Sequence, residues 1–237
     1  MKKLSYSKLV VVGIFAAAMA FVEAAVVIYL RKIYYPGGFA FPLKGFVHPE
    51  ILNIEWFREF FTIVMLATVA ILAAKKFYER FAYFLYSFAV WDIFYYVWLK
   101  LTLDWPASFL MWDILFLIPL PWIGPVLVPV LLSLTMILLA LTIVFFCDKG
   151  KKVYLNFKEW FLLIAGSVII LFTFMYDYGK LIIQGGFAGD FFTLTRNQEF
   201  ISAVESFIPV YYNWLVFAFG EILILLGIFM FYFRMRK

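Results

Sequence analysis

Long apolar stretches alternate along the chain with short clusters of charged residues. A helix that crosses the hydrocarbon core of a bilayer needs about 20 mostly apolar residues, and six stretches of the chain approach or exceed that length. We predict membrane-spanning helices at about residues 9–30, 57–75, 81–101, 126–147, 160–176 and 208–233. The pattern therefore predicts an all-α, polytopic membrane bundle of six transmembrane helices, in which residues 1–237 form one transmembrane domain.

The uncharged run from Ile114 to Cys147 is too long for one simple helix. Prolines interrupt its first half at positions 119, 121, 125 and 129. Each proline removes a backbone donor and clashes with the preceding helical turn. We therefore predict a short, proline-broken half-helix over residues 107–118, which precedes the fourth span.

Basic residues predict the orientation. If the N-terminus is cytoplasmic, most of the 20 basic residues fall in the inner segments at residues 2–8, 75–80, 149–158 and 234–237. An excess of Lys and Arg in short inner segments is the usual pattern of membrane proteins, so we predict that both termini are cytoplasmic. The outer loops, at residues 31–56 and 177–207, are then the longer ones and the more suitable for binding.

Composition narrows the class of protein. Hydrophobic residues make up 66% of the chain and charged residues 15%, which leaves too few charges for the surface of a soluble enzyme. The single cysteine and single histidine exclude an internal disulfide and a multi-His metal site supplied by this chain alone. The net charge of +5 lies mostly beside apolar stretches, where it indicates topology and not nucleic-acid binding. We expect a multi-pass protein of a prokaryotic inner or plasma membrane.

One short pattern occurs twice. Residues 87–95 and 108–116 share Ser, Phe, Trp, Asp and Ile in the same register, 21 positions apart. A small duplicated helix would explain the match, and transporters often contain internal repeats. Chance convergence between two aromatic-rich segments is the alternative.

Four acids lie in or beside the predicted spans: Glu23, Asp92, Asp113 and Glu221. An ionised carboxylate at the centre of a spanning helix costs at least about 2.5–3.5 kcal/mol, so such residues usually face the bundle interior and serve a function. Helix counting allows all four to converge below the outer face. We interpret them as a binding or proton-coupling site, with structural hydrogen bonding as the alternative.

Residues around these acids complete the predicted site. Tyr95 and Tyr96 stand three and four positions after Asp92, where each can donate a hydrogen bond to it. Arg58 can pair with Glu55 or with Glu59 on its own helix. Arg31 lies too far along its helix to pair easily with Glu23.

The loops carry weaker signals. His48 and Glu50 could supply one or two metal ligands, although a lone loop histidine is usually solvated. Trp105 fits an interfacial anchor. The 31 phenylalanines could line a site for a flat hydrophobic ligand, but are more often packing residues. No pattern identifies a cofactor.

We therefore expect a transporter or ligand-binding membrane protein with an acidic, proton- or cation-coupled site in the outer half of the bilayer. One alternative is an accessory subunit of a larger membrane complex. The other is an intramembrane enzyme in which Asp92, Asp113 or Glu23 acts as acid or base. The expected partners are the lipid bilayer, a small hydrophobic or cationic ligand, and a membrane-protein partner or a second copy of the chain, with no nucleic acid.

Overall fold

The computed structural model describes residues 3–43, 49–189, 194 and 197–237, and these are mostly helical. The helices are α1 Lys3–Tyr34, α2 Pro49–Ala73, α3 Phe77–Leu103, α4 Leu127–Asp148, α5 Phe157–Gln184, α6 Gln198–Ser206 and α7 Trp214–Arg236. Two short strands, β1 Trp112–Phe116 and β2 Trp122–Pro125, lie between α3 and α4.

Among the residues that the structure describes, five helices are long and apolar enough to cross a membrane, namely α1, α2, α4, α5 and α7. This confirms the prediction of a largely α-helical, multi-pass membrane bundle. Helix α3 has 27 residues but falls outside this group, since its tyrosines, tryptophans and charged residues lower its hydropathy. It packs between α1 and α4 and also contacts α2, whereas α5 packs mainly on α7.

The basic clusters gather at one end of the bundle. Lys8 at the start of α1 donates to the carbonyl of Ala73 at the end of α2, with Nζ and oxygen 2.7 Å apart. Lys151, which follows α4, donates to the carbonyl of Met235 at the end of α7. The strands lie at the opposite end, beside the end of α1 and the beginning of α2.

The predicted half-helix at residues 107–118 is wrong. Residues 112–116 instead form the first strand of an antiparallel β-hairpin, in which Asp113 pairs with Gly124 and Ile114 with Ile123. Pro119 and Pro121 lie in the connection, where their missing N–H groups leave no ladder bond unmade. Pro129 lies in the first turn of α4, where a helix tolerates proline because the amide has no intrahelical partner.

Several helix boundaries also differ from the prediction. Helix α2 begins at Pro49 rather than residue 57, and α5 continues to Gln184 rather than ending at 176. Both extensions add polar residues that a count of apolar residues leaves out, so the two loops are shorter than expected. Helix α7 begins later than expected, at Trp214, where the side chain of Asn213 accepts a hydrogen bond from the amide of Val216.

The repeated pattern does not mark a duplicated helix. Residues 87–95 lie within α3, whereas residues 108–116 form a turn and strand β1. Two segments that share five residue types therefore adopt different secondary structures. Their surroundings in the fold determine whether the backbone forms helical hydrogen bonds or pairs with a neighbouring strand.

Candidate functional site

A first polar cluster joins α1 to α2. Arg58 on α2 pairs with Glu23 on α1, and also with Glu55 one turn earlier on its own helix, at 2.7 Å between Nη2 and Oε2. The hydroxyl of Thr62 donates to Oε2 of Glu23 over 3.0 Å. Glu23 and Glu55 are buried, so the guanidinium meets two carboxylates in an enclosed setting.

Glu59 connects this cluster to the hairpin. Its Oε2 accepts the backbone N–H of Leu117, just after β1, over 2.8 Å. Glu59 was a predicted partner of Arg58, but in the described part of the chain Arg58 forms its ion pairs with Glu23 and Glu55. A buried carboxylate here satisfies a backbone amide that the irregular end of the strand leaves unpaired.

A second cluster surrounds Arg31 at the end of α1. Its Nη2 donates to Oδ1 of Asp113 over 2.9 Å, and both side chains are more than nine-tenths buried. The guanidinium carbon lies 4.1 Å from the ring centre of Phe39 and 3.8 Å from that of Trp105. Such stacking adds cation–π attraction and fixes the orientation of the guanidinium plane.

Asp113 accepts further hydrogen bonds. The backbone N–H of Ile114 donates to its Oδ1 over 2.9 Å, and the hydroxyl of Tyr96 donates to its Oδ2 over 3.4 Å. The prediction that Tyr96 donates to Asp92 is therefore wrong. Tyr95 stacks on Trp91 and contacts the edge of Tyr96, and it lies close enough to Asp113 to interact electrostatically.

The two other acids have hydroxyl partners on α4. Ser133 donates to Oδ2 of Asp92 over 2.8 Å, and Thr135 donates to Oε1 of Glu221. The second oxygen of Glu221 is buried without a hydrogen-bond partner among the described residues. In the described part of the chain, each of the four predicted acids has its own hydrogen-bond partners and shares none with another of the four.

Two neighbouring cavities lie near the end of α1. The first, which we call the hairpin cavity, measures about 100 Å³ and is almost entirely apolar. Its wall includes Tyr35, Leu52, Ile123, Leu181, Val204 and Phe207. Helix α6 and the hairpin thus both contribute to its lining.

The second cavity, the arginine pocket, measures about 140 Å³ and is lined by Arg31, Lys32, Tyr35, Phe39 and Trp105, among others. Tyr35 belongs to the wall of both cavities, so they are neighbours. Burial, and next the nearby Glu205 carboxylate, raise the pKa of Tyr35 above its ordinary value. Its hydroxyl is therefore neutral and able to donate at physiological pH.

A smaller cavity of about 40 Å³ touches Asp92, Ser133, Trp91 and Trp122. The indole N–H groups of both tryptophans are buried without a hydrogen-bond partner within the described ranges.

The sequence did not predict the roles of several residues in these polar clusters. Trp105 is not an interfacial anchor, because it is 8% exposed and stacks on Arg31. The hydroxyl partners Thr62, Ser133 and Thr135 gave no sequence signal, although a buried hydroxyl is a common partner for an acid in a spanning helix. The metal hypothesis stays a prediction, since His48 lies outside the described residues, and Glu50 is exposed in the first turn of α2.

Searches of protein-family models, of curated proteins and of solved structures find no match to this chain. No residue of the site inherits a role from a relative. The roles proposed below therefore rest on the contacts described above.

Proposed function

We propose that this protein spans the membrane six times, with both termini in the cytoplasm, and binds a small apolar molecule at its outer end. Helix α3 would be the sixth span. Its 27 residues would extend about 40 Å at 1.5 Å per residue, which exceeds the roughly 30 Å hydrocarbon core. Its position between α1 and α4, two of the candidate spans, supports this assignment.

The orientation follows from the basic end of the bundle. The clusters at the start of α1 and after α4 make contacts at the end opposite the hairpin. The positive-inside rule favours a cytoplasmic location for that end, and the hairpin and the hairpin cavity would then face outward.

Cysteine labelling tests this orientation. In a Cys147→Ser background, Gly37→Cys is expected to react with a membrane-impermeant maleimide in intact cells, because Gly37 is exposed and nothing lies within 4 Å of an added Cβ. Lys75→Cys, exposed in the α2–α3 connection, should react only after lysis. The reverse pattern would overturn the orientation.

The hairpin cavity is the main observation that supports a binding function. An apolar cavity stays dry and accepts apolar guests, and about 100 Å³ suits a short alkyl segment. The connection of β1 to β2 and helix α6 both contribute to its wall, so the ligand would lie under elements that are not spanning helices. We place the protein in the class of ligand-binding proteins and transporters.

The excess of acids supports proton or cation coupling. Glu23 and Glu55 pair with the guanidinium of Arg58, Glu59 follows Arg58 in the chain, and all three carboxyl groups are buried. Three enclosed carboxyl groups beside one cation favour a proton or a bound cation on at least one of them.

Photolabelling tests the binding function. Protein in nanodiscs of neutral lipid is exposed to a long-chain alcohol that carries a diazirine, and labelled peptides are mapped by mass spectrometry. We expect labels in α6 and the hairpin, and Val204→Trp should abolish them by filling the cavity. The matched control is Val210→Trp, since Val210 is 89% exposed. Equal labelling of both variants and wild type would contradict the proposal.

The hydrogen bonding of the four acids favours a second function, that of an accessory subunit. Each acid has at least one partner inside the chain, as a purely structural role would require. This function predicts that the protein leaves its native membrane in a stoichiometric complex with another chain, which gentle solubilisation and native mass spectrometry would detect.

A further inference from the structure

A further cavity, which we call the α3 groove, lies between the second half of α3 and the beginning of α4. It measures about 390 Å³ and is larger than the hairpin cavity. Ile93, Val97 and Leu101 of α3 line it at intervals of four positions, which places them along one face of the helix. These eight residues extend about 12 Å at 1.5 Å per residue, so the groove follows the helix axis. Val130 of α4 contributes to its wall.

The chain after α3 closes one end of the groove. The amide of Asp104 donates to the carbonyl of Lys100 over 3.1 Å, and Asp104 has a φ of +53°, a left-handed conformation that aspartate tolerates better than most residues. The chain turns there, and residues 106–109 line the groove. The carbonyl of Phe109 then accepts the amide of Leu127, at the beginning of α4, over 2.8 Å. This end of the groove is therefore attached to both helices that form it.

The lining changes from apolar to polar along the groove. Ile93 and Val97 are apolar, whereas Lys100, in the last turn of α3, and the exposed Ser108 lie toward the other end. If α3 spans the membrane, its length of about 40 Å exceeds the hydrocarbon core by about 5 Å at each end. The last turn then lies at the depth of the lipid headgroups. The lining thus has the same order of polarity as a phospholipid in that leaflet, with the tail along Val97 and the headgroup at Lys100.

The polar end carries one positive and one negative group. Nζ of Lys100 lies 2.7 Å from Oδ1 of Asp104, and their side chains are 49% and 92% exposed, so a ligand can reach both. The hydrogen bond from Lys100 and its charge lower the pKa of Asp104, and no other charged group among the described residues contributes to that shift. The two charges sum to zero. A zwitterionic headgroup complements them, because a lysine ammonium has three donors and a carboxylate has several acceptor sites.

We propose that the α3 groove binds one phospholipid that carries a primary amine in its headgroup. An acyl chain lies along Val97 and Val130, the phosphate accepts a hydrogen bond from Lys100, and the ammonium donates to Asp104. The depth of this site rests on the proposed span of α3. The site is separate from the hairpin cavity, since the two share no lining residue.

A lipid titration tests the headgroup. Delipidated protein in mild detergent is titrated with phosphatidylethanolamine, phosphatidylcholine and phosphatidylglycerol of identical acyl chains, and bound lipid is counted by native mass spectrometry. We expect phosphatidylethanolamine to bind about two- to fivefold more tightly than the other two, as an exposed ion pair predicts. The choline nitrogen has no N–H to donate to Asp104, and the glycerol headgroup has no positive charge. Equal affinity for the three lipids would overturn the proposal.

Two variants separate the charges of the headgroup site. Lys100→Gln is expected to weaken phosphatidylethanolamine binding about two- to fivefold. Asp104→Asn is expected to remove the preference for phosphatidylethanolamine over phosphatidylcholine. The matched control is Lys180→Gln, which changes an exposed lysine near the end of α5 and should leave both affinities unchanged. Wild-type affinity in Lys100→Gln, or a retained preference in Asp104→Asn, would overturn the headgroup assignment.

A third variant tests the position of the acyl chain. Val97→Trp fills the groove and should reduce the binding of all three lipids. Val64→Trp on α2 is the matched control, because Val64 and Val97 are 41% and 38% exposed. Equal lipid binding by the two variants would overturn the groove as the site of the chain.

The outcomes distinguish this inference from the proposed function. Lys100, Asp104 and Val97 do not line the hairpin cavity, so their variants should still be photolabelled there by the long-chain alcohol. If photolabelling fails but phosphatidylethanolamine binds selectively, the α3 groove stands and the ligand of the hairpin cavity is wrong. If photolabelling succeeds without lipid selectivity, the hairpin cavity stands and the α3 groove is wrong.

Discussion

Charge holds together the region where α1 meets the hairpin, whereas close packing holds α5 against α7. In the first region, Arg31 and Asp113 pair at 2.9 Å although 82 positions separate them in the chain. In the second, a Cβ added to Gly166 would lie 2.5 Å from the carbonyl oxygen of Gly220. The backbones of α5 and α7 are therefore in close contact at Gly166 and Gly220.

The two regions differ in how tightly the residues around each contact are packed. Small residues let spanning helices associate by van der Waals packing, which needs no hydrophobic effect. A charged pair fixes the distance between two particular side chains. The loop and hairpin around the Arg31–Asp113 pair do not fit against each other as closely as two helices do. The hairpin cavity, to which we assign the ligand, lies beside the hairpin and the loop after α1, where packing is irregular.

The largest effect is expected from Asp113→Asn. It leaves the buried guanidinium of Arg31 without its counter-charge, and breaking such a pair costs about 3–5 kcal/mol of the free energy of unfolding. Asp104→Asn is the matched control, because Asp104 is exposed and its hydrogen bond from Lys100 holds its pKa below the ordinary value at the surface. Denaturation in mild detergent should show a large loss for Asp113→Asn and no measurable change for Asp104→Asn. Similar stabilities would mean that charge does not hold this region.

Gly166→Ala tests the packed region and should have an intermediate effect. The new methyl group meets the carbonyl of Gly220 and the side chain of Ile224 at 2.5 and 2.6 Å, so α5 and α7 must separate, at about 1–3 kcal/mol. Gly179→Ala lies on the same helix with nothing within 4 Å, and should stabilise by up to about 1 kcal/mol through helix propensity. Changes of the same sign in both variants would contradict the close contact.

Asp92→Asn should have the smallest effect on stability, below about 1 kcal/mol. The carboxamide oxygen of asparagine still accepts the hydrogen bond that Ser133 donates over 2.8 Å. Ser133→Ala is the sharper comparison, because it removes the donor and leaves the carboxyl unsatisfied, at about 1–3 kcal/mol. A greater loss in Asp92→Asn than in Ser133→Ala would show that the charge of Asp92 has a further partner.

The sequence predicts the spanning helices because each must contain enough apolar residues to cross the bilayer, and that requirement is local. It does not predict the hairpin, since residues 112–125 lack the apolar–polar alternation of a half-buried strand and their prolines suit a broken helix equally well. The pairing of Glu55 with Arg58 follows from a spacing of three residues.

The remaining partners depend on tertiary contacts. Arg31 meets Asp113 only because the hairpin folds back against the end of α1, and Glu59 meets Leu117 for the same reason. No spacing rule connects residues that are 58 or 82 positions apart. Sequence reasoning could select the acids, because charge in a spanning segment is rare, but it could not choose their partners.

The most direct test is a high-resolution cryo-electron microscopy map of the protein in nanodiscs of its native lipids, examined at the hairpin cavity. The account predicts elongated density in that cavity, next to α6 and the hairpin. A cavity filled by the protein's own side chains would contradict it.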